Sequence, residues 1–285
     1  MKKILFIIVT IALIAFLVYA VTYQRKTIPV DKPGTVSATK AYEQLFGVAP
    51  SVDKGTAYAF VIYFPSAKTS GKVVPFPFFT FDEGSIQKVA VERLLAGMDT
   101  GSYQGEFVPF PSGIRLLNIN DQGSVVVDFN KELGESSDKS VVYALALTLR
   151  QFKGVKDIRI QVDGKDSPSN ALLKELDGNV VLPLSSPRIL ALTAMRDKGV
   201  KDVEEVNLFF DRPVVVKEMK LFSKEGHQFE GEMYHSVFDM AAVFKPKTPG
   251  LFKERMPVRA QWKVIDKLGR SAEGDSIMLL EVKEH

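Results

Sequence analysis

An α+β domain followed by an all-β sandwich, behind one N-terminal transmembrane helix, is the fold class this sequence predicts. Three observations predict it. Residues 4–23 carry no charge, the stretch Pro111 to Gly164 alternates strand and helix periods, and beyond Pro187 the apolar period is two. The chain has 285 residues, enough for about two domains of ~100–200 residues each. Net charge is +3, with Lys, Arg, Asp and Glu interleaved, so there is no basic stripe to track phosphates and no nucleic-acid partner is expected. There is no cysteine, which excludes disulfides, thiolate metal sites, cysteine nucleophiles and lipid attachment to an N-terminal cysteine.

Met1-Lys2-Lys3 precedes Ile4 to Tyr23, a run of twenty uncharged residues with thirteen Ile, Leu, Phe or Val between Ile4 and Val21. At about 0.3–0.6 kcal/mol for each, membrane insertion is favoured by roughly 4–8 kcal/mol, and ~20 residues make one crossing. Val18-Tyr19-Ala20 also has the small flanks of a signal cleavage site, but the run exceeds a ~7–15 residue signal core, so residues 1–23 are expected to be an uncleaved anchor. Lys2 and Lys3 on one side balance Arg25 and Lys26 on the other, leaving orientation undetermined by charge. Residues 24–54, with Pro29, Pro33, Gly34 and Pro50 among polar residues, are expected as a linker. Within it, Ala38 to Phe46 could form one or two helical turns with Tyr42, Leu45 and Phe46 on one face.

Residues 55–186 read as a small, mostly antiparallel sheet with two helices on one face. Ala57 to Phe64 is a hydrophobic strand. Val73 to Phe81 is a second, placed at an edge because Pro75 and Pro77 cannot donate to a ladder. Phe76, Phe78, Phe79 and Phe81 on it either fill the core beside the next helix or present an aromatic interaction surface to another subunit. Ser85 caps a helix with Ile86, Val89, Ala90 and Leu94 as its stripe and Gly97 as its stop. Arg115 to Ile119 and Ser124 to Phe129 form a hairpin. Ser136 or Ser137 then caps a helix with Val141, Leu145, Leu149 and Phe152 at helical spacing, ended by Gly154. Val155 to Val162 is the closing strand, with Asp163-Gly164 as its turn.

Several blocks in this order resemble the GerM domain of sporulation and spore-germination proteins: Leu94-Leu95-Ala96-Gly97, Pro111-Ser112-Gly113, Val125 to Leu133, Leu149-Arg150-Gln151-Phe152-Lys153-Gly154-Val155 and Gln161-Val162-Asp163-Gly164. The resemblance covers roughly Gly55 to Pro183. It implies a sheet with two helices, shaped like modules that build rings in secretion and sporulation complexes. It also implies an extracytoplasmic location, in a Gram-positive spore former. Pro111, Gly113, Asp128, Phe129, Phe152, Gly154, Asp163 and Gly164 then stand as fold determinants rather than reactive groups.

Residues 187–285 give seven strands: Ile189 to Met195, Val203 to Phe210, Val214 to Leu221, Phe229 to Tyr234, Met240 to Phe244, Met256 to Ile265 and Ile277 to Val282. With one buried Trp262 and no disulfide, this is an immunoglobulin-like sandwich. Asn207 to Val214 and Ala260 to Val264 are similar to the CopC-type sandwich. That family's copper-binding histidines are not evident, since the turn after the Trp strand reads Lys267-Leu268-Gly269-Arg270.

A search for chemistry assembles no active site. His227, His235 and His285 lie near no Gly-x-Ser-x-Gly elbow and lack further local metal ligands. Thr69-Ser70-Gly71-Lys72 has the end of a phosphate loop, but Ser66 stands where the first glycine is required. Asp121, Asp128, Asp163 and Asp166 are explained by turns and a solvent-facing strand position. The expectation is a non-enzyme without cofactor or metal. It sits in the membrane through one helix and acts by assembly with envelope or sporulation proteins or as a homo-oligomer. The alternative is a module that binds cell-wall glycan or a small ligand in a groove between the two domains.

Overall fold

The computed structural model describes residues 34–82, 84–98, 101–121, 124–134 and 138–284. The predicted membrane span lies outside them, and among the described residues no helix is long and apolar enough to cross a membrane. Where a linker was expected, residues 34–54 carry β1 (Thr35–Ala38) and α1 (Lys40–Phe46). Thr39 caps α1 by accepting from the Tyr42 amide at 3.2 Å, and Tyr42 and Phe46 are buried in the first core. Gly34, Gly47 and Pro50 bound these elements instead of keeping the segment open.

β2 (Thr56–Pro65) pairs in parallel with β1 and antiparallel with β3 (Val73–Thr80), which forms the edge its prolines require. α2 (Ile86–Ala96) has the expected Ser85 cap and Gly97 stop. β4 (Leu116–Asp121), β5 (Val125–Phe129), β6 (Ile158–Val162) and β7 (Lys165–Asp166) form a second sheet in that order. Between β5 and β6 runs α3 (Lys139–Arg150), and the two strands it joins are parallel, as a helical crossover demands. Ser136 and Ser137 lie outside the described residues. The α3 cap is Asp138, whose carboxylate accepts from the Ser140 amide at 2.8 Å.

The single sheet with helices on one face is therefore corrected to two sheets. The reason is α3 itself, buried on nearly every side from Ser140 to Leu149 and packed against β2 of one sheet and β6 of the other. A helix apolar all round belongs between layers, not on one. α3 ends at Arg150, earlier than Gly154, and Gln151 turns inward. Its amide accepts from Val61 N (2.8 Å) and Thr39 Oγ1 (2.9 Å), and donates to Val61 O (2.5 Å) and Thr148 O (2.8 Å). Thr148 Oγ1 accepts from Tyr63 N at 3.1 Å. β1 pairs only with Thr56 to Ala59, and these side chains take the place of a neighbouring strand along the rest of β2, at Val61 and Tyr63.

The other sequence blocks interlock in the same way. Asn130 accepts from Arg115 N at 2.9 Å and donates to Gly113 O at 3.0 Å. Asp128 accepts from Gly164 N at 3.0 Å, across the turn where Asp163 takes φ 49°. Phe129 is fully buried, and its carbonyl accepts from Asp163 N at 2.8 Å.

The second core is a sandwich of two sheets. One is β10 (Val214–Phe222), β13 (Pro257–Asp266) and β14 (Ser271–Leu279). The other, in the order β11-β12-β9-β8-β15, comprises β11 (Gly231–His235), β12 (Ala241–Pro246), β9 (Glu205–Phe210), β8 (Ile189–Arg196) and β15 (Glu281–Glu284). Eight strands replace the seven expected. The last predicted strand is two, split at the fully buried Leu280, where the chain leaves β13 and joins β8 in parallel. The polar start of β14 was missed because Gly274 lies under the Trp262 ring, where a Cβ would sit 2.8 Å from ring carbon. Trp262 is half-buried rather than buried, edge-on to Phe210 at 5.5 Å.

Candidate functional site

A group of charged and aromatic side chains converges on the junction between the two cores. Its base is polar. Arg212 is 1 % exposed, and its guanidinium donates to both Asp211 oxygens (3.0 and 2.9 Å) and to Ser185 O (2.8 Å), with Asp266 at 3.7 Å. Asp266 accepts from Leu268 N, Arg270 N and Arg270 Nε, and Arg270 reaches the last turn of α1 by donating to Leu45 O at 3.0 Å. From the first domain, the Tyr103 hydroxyl donates to Asp211 at 3.3 Å. The Arg188 guanidinium lies 3.6 Å from the Tyr103 ring centroid and makes two parallel hydrogen bonds, 3.1 and 2.9 Å, to Glu106, which also meets Lys68 at 2.8 Å.

Opposite charges therefore alternate through the interface, which is how buried ions are tolerated. Hydrogen bonds from Arg188, opposed by partial burial, hold the Glu106 carboxyl below the usual carboxylate range. Burial, with the Asp211 charge adding to it, pushes the Tyr103 hydroxyl up, so it stays protonated and donates.

Close backbone approach fixes the alignment. A bulge at Leu190 in β8 turns the Ile189 and Leu190 carbonyls toward residues 101–103. Ser102 Oγ donates to Ile189 O at 2.7 Å, and a Cβ on Gly101 would lie 1.9 Å from Leu190 O.

The four phenylalanines run along this junction. Phe76 is buried, edge-on to Tyr103 at 6.0 Å. Phe78 is half-buried against Phe60 at 5.3 Å, with the Arg93 guanidinium 5.2 Å from its ring centroid. Phe79 stacks on Phe238 of the sandwich at 4.4 Å with planes 8° apart, and Phe81, 51 % exposed, tilts against the same ring. Phe76 and Phe78 also line a cleft of about 450 Å3 between the domains, closed on the sandwich side by Leu190, Phe209 and Met240. Thr193, Arg93 and Lys283 are its polar wall.

The residues weighed for chemistry do not meet. Among the described residues no three His, Asp or Glu side chains form a metal-sized group. His235 is exposed, 4.0 Å from Asp239, His227 is exposed at the far edge of the sandwich, and His285 and the Asp121 side chain lie outside the described residues. Asp166 pairs with Arg159. Thr69 to Lys72 is the β2–β3 hairpin loop, not a strand-to-helix phosphate loop. Sequence reasoning missed Gly101, Tyr103, Arg188 and Arg212. The signals were the charged pair Asp211-Arg212 in the turn between the apolar strands β9 and β10 and the glycine cluster at 97–105.

This geometry defines a two-domain protein whose first domain is built on interlocked backbone-capping residues. Residues 61–168 match the Germane family, described as sporulation and spore germination. Among solved structures, the first GerMN domain of the sporulation protein GerM from Bacillus subtilis is similar at 19% identity over 37% of this chain and 83% of that chain, with TM-score 0.30. The tandem GerMN domains of the same protein are similar at 17% identity, over 61% of this chain and 58% of that chain, TM-score 0.32. PcoC, a methionine-rich copper resistance protein from Escherichia coli, is similar at 17% identity, over 35% of this chain and 100% of that chain, TM-score 0.25. No curated protein matches the chain.

Proposed function

We propose that this chain is a membrane-anchored, extracytoplasmic, non-catalytic protein of sporulation or spore germination that acts through protein–protein assembly. The Germane match over residues 61–168 carries the reading. The uncharged run at 4–23 supports the anchor, and the joined domains offer a stiff body with the exposed Phe81 at its rim. Residues 24–285 should self-associate as concentration rises in light scattering, and Phe81→Ser should reduce that association without unfolding the protein. A monomer at every concentration, with no envelope protein retained on it in a pull-down, would remove the proposal's support.

The cleft between the domains favours a second reading, a small-ligand binding module. Its lining is mostly apolar with three polar side chains, the usual make-up of a small-molecule site.

A further inference from the structure

The geometry points to the inter-domain cleft as a binding site for an amphipathic carboxylate, a hydrocarbon body ending in a single negative charge. This rests on the small-ligand reading above and names its ligand class. The apolar part of the argument is the wall. Phe76 and Phe78 from β3 face Leu190, Phe209 and Met240 from the sandwich across a volume of about 450 Å3, which suits a medium-length acyl chain and holds few polar groups to satisfy a sugar. A glycan would need a hydrogen-bonding partner for most of its hydroxyls, and this lining offers one hydroxyl.

That hydroxyl is the second observation. Thr193 lies on β8 between Leu192 and Ala194, which point into the sandwich core, so its side chain leaves the opposite face and lines the cleft. Thr193 is 3 % exposed, and its Oγ1 has no hydrogen-bond partner among the described residues. A buried hydroxyl left unpaired costs about 1–3 kcal/mol. A ligand oxygen in the cleft would relieve it.

The charge is the third. Arg93 and Lys283 both line the cleft, and no acidic side chain does. Arg93 makes no ion pair among the described residues and rests on the Phe78 ring face, while Lys283 stands 3.8 Å from Glu281, a loose contact between exposed groups. Two cations around an apolar cavity select an anion. A carboxylate fits a guanidinium fork, and the hydrocarbon body replaces water against the phenylalanines.

The test uses the full chain in lipid nanodiscs, with empty nanodiscs as the blank. Titration calorimetry measures dodecanoate, with dodecanol as the uncharged analogue. Dodecanoate should bind above the blank and at least tenfold more tightly than dodecanol. Arg93→Gln and Lys283→Gln, both surface changes, should each weaken dodecanoate several-fold and leave dodecanol unchanged, and Thr193→Val should weaken dodecanoate. Equal affinity for the two probes, or dodecanoate binding indifferent to both charge variants, would overturn the carboxylate assignment while leaving a ligand cleft. Binding of neither probe above the blank would overturn both.

Discussion

Replacing Arg212 with methionine tests whether the buried charge chain holds the sandwich to its partner. Arg212 is among the largest fully buried side chains, so methionine fills much of its volume and removes only the charge and its donors. Breaking a buried pair by deleting one partner costs about 3–5 kcal/mol, because the other charge stays buried. Here the cost divides unequally. Asp266 keeps three donors, Leu268 N, Arg270 N and Arg270 Nε, at 3.0, 2.9 and 2.6 Å. Asp211 keeps only Tyr103 Oη and Arg188 N, at 3.3 and 3.2 Å. The expected loss is thus near the lower bound, about 3 kcal/mol, and falls on Asp211. With an m-value of about 2–3 kcal/mol/M in urea, the midpoint should drop by roughly 1–1.5 M. Residues 34–285 can be followed by the fluorescence of Trp262, the one tryptophan, which packs on Phe210 next to the pair. Asp211→Asn added to Arg212→Met should recover about 1 kcal/mol or more. A midpoint change under ~0.3 M for the single variant, on the same m-value scale, would refute the reasoning, since it would mean that Asp211 is not left unpaired in a dry site.

Three further outcomes follow from the same geometry. Gly101→Ala should destabilise by more than the ~1–3 kcal/mol of a strained left-handed alanine, because its Cβ also meets Leu190 O. Gly105→Ala, at φ 70° with open space around it, should show the strain alone, and thermal melts of the two give the difference. Gln151→Leu should cost about 2–4 kcal/mol by leaving the Val61 amide and carbonyl unpaired, visible as faster hydrogen exchange at Val61. The depressed Glu106 carboxyl contributes stability above the ordinary glutamate pKa of about 4.3, and that contribution is lost as pH falls through its lower folded value. Glu106→Gln should therefore flatten the acid side of the stability profile, measured by urea midpoints at descending pH, and leave its shape above pH ~6 unchanged.

Much of the α+β domain was legible because its signals are local. Ser85 and Gly97 bracket α2, and Pro75 and Pro77 put β3 at an edge, whatever the distant chain does. The burial of α3 on all sides was also written in its apolar residues, yet a stripe was read from it because spacing alone does not tell one covering layer from two. Strand β14 was obscured for a different reason. Its Gly274 serves a ring on another strand, so the position is intelligible only once β13 lies beside it. The junction was the least legible part. Tyr103 and Asp211 are 108 positions apart, and nothing near either residue announces the other. Gln151 lies between these cases: the sequence block that contains it was noticed, but its role as a substitute strand needs β2 in view.

The parallel addition of β15 to β8 has a consequence for biosynthesis. Residues 281–284 supply the outer neighbour of the sandwich's first strand, so while the chain is being made, the edge of β8 from Thr193 to Arg196 stands unpaired until those residues have emerged. An unpaired edge is a template for other chains. The buried Leu280, whose carbonyl and amide are held by Arg255 and Met256, pins the crossing that closes it. A chain stalled before this point would have nearly every apolar residue of its second core and still present an open strand to its neighbours.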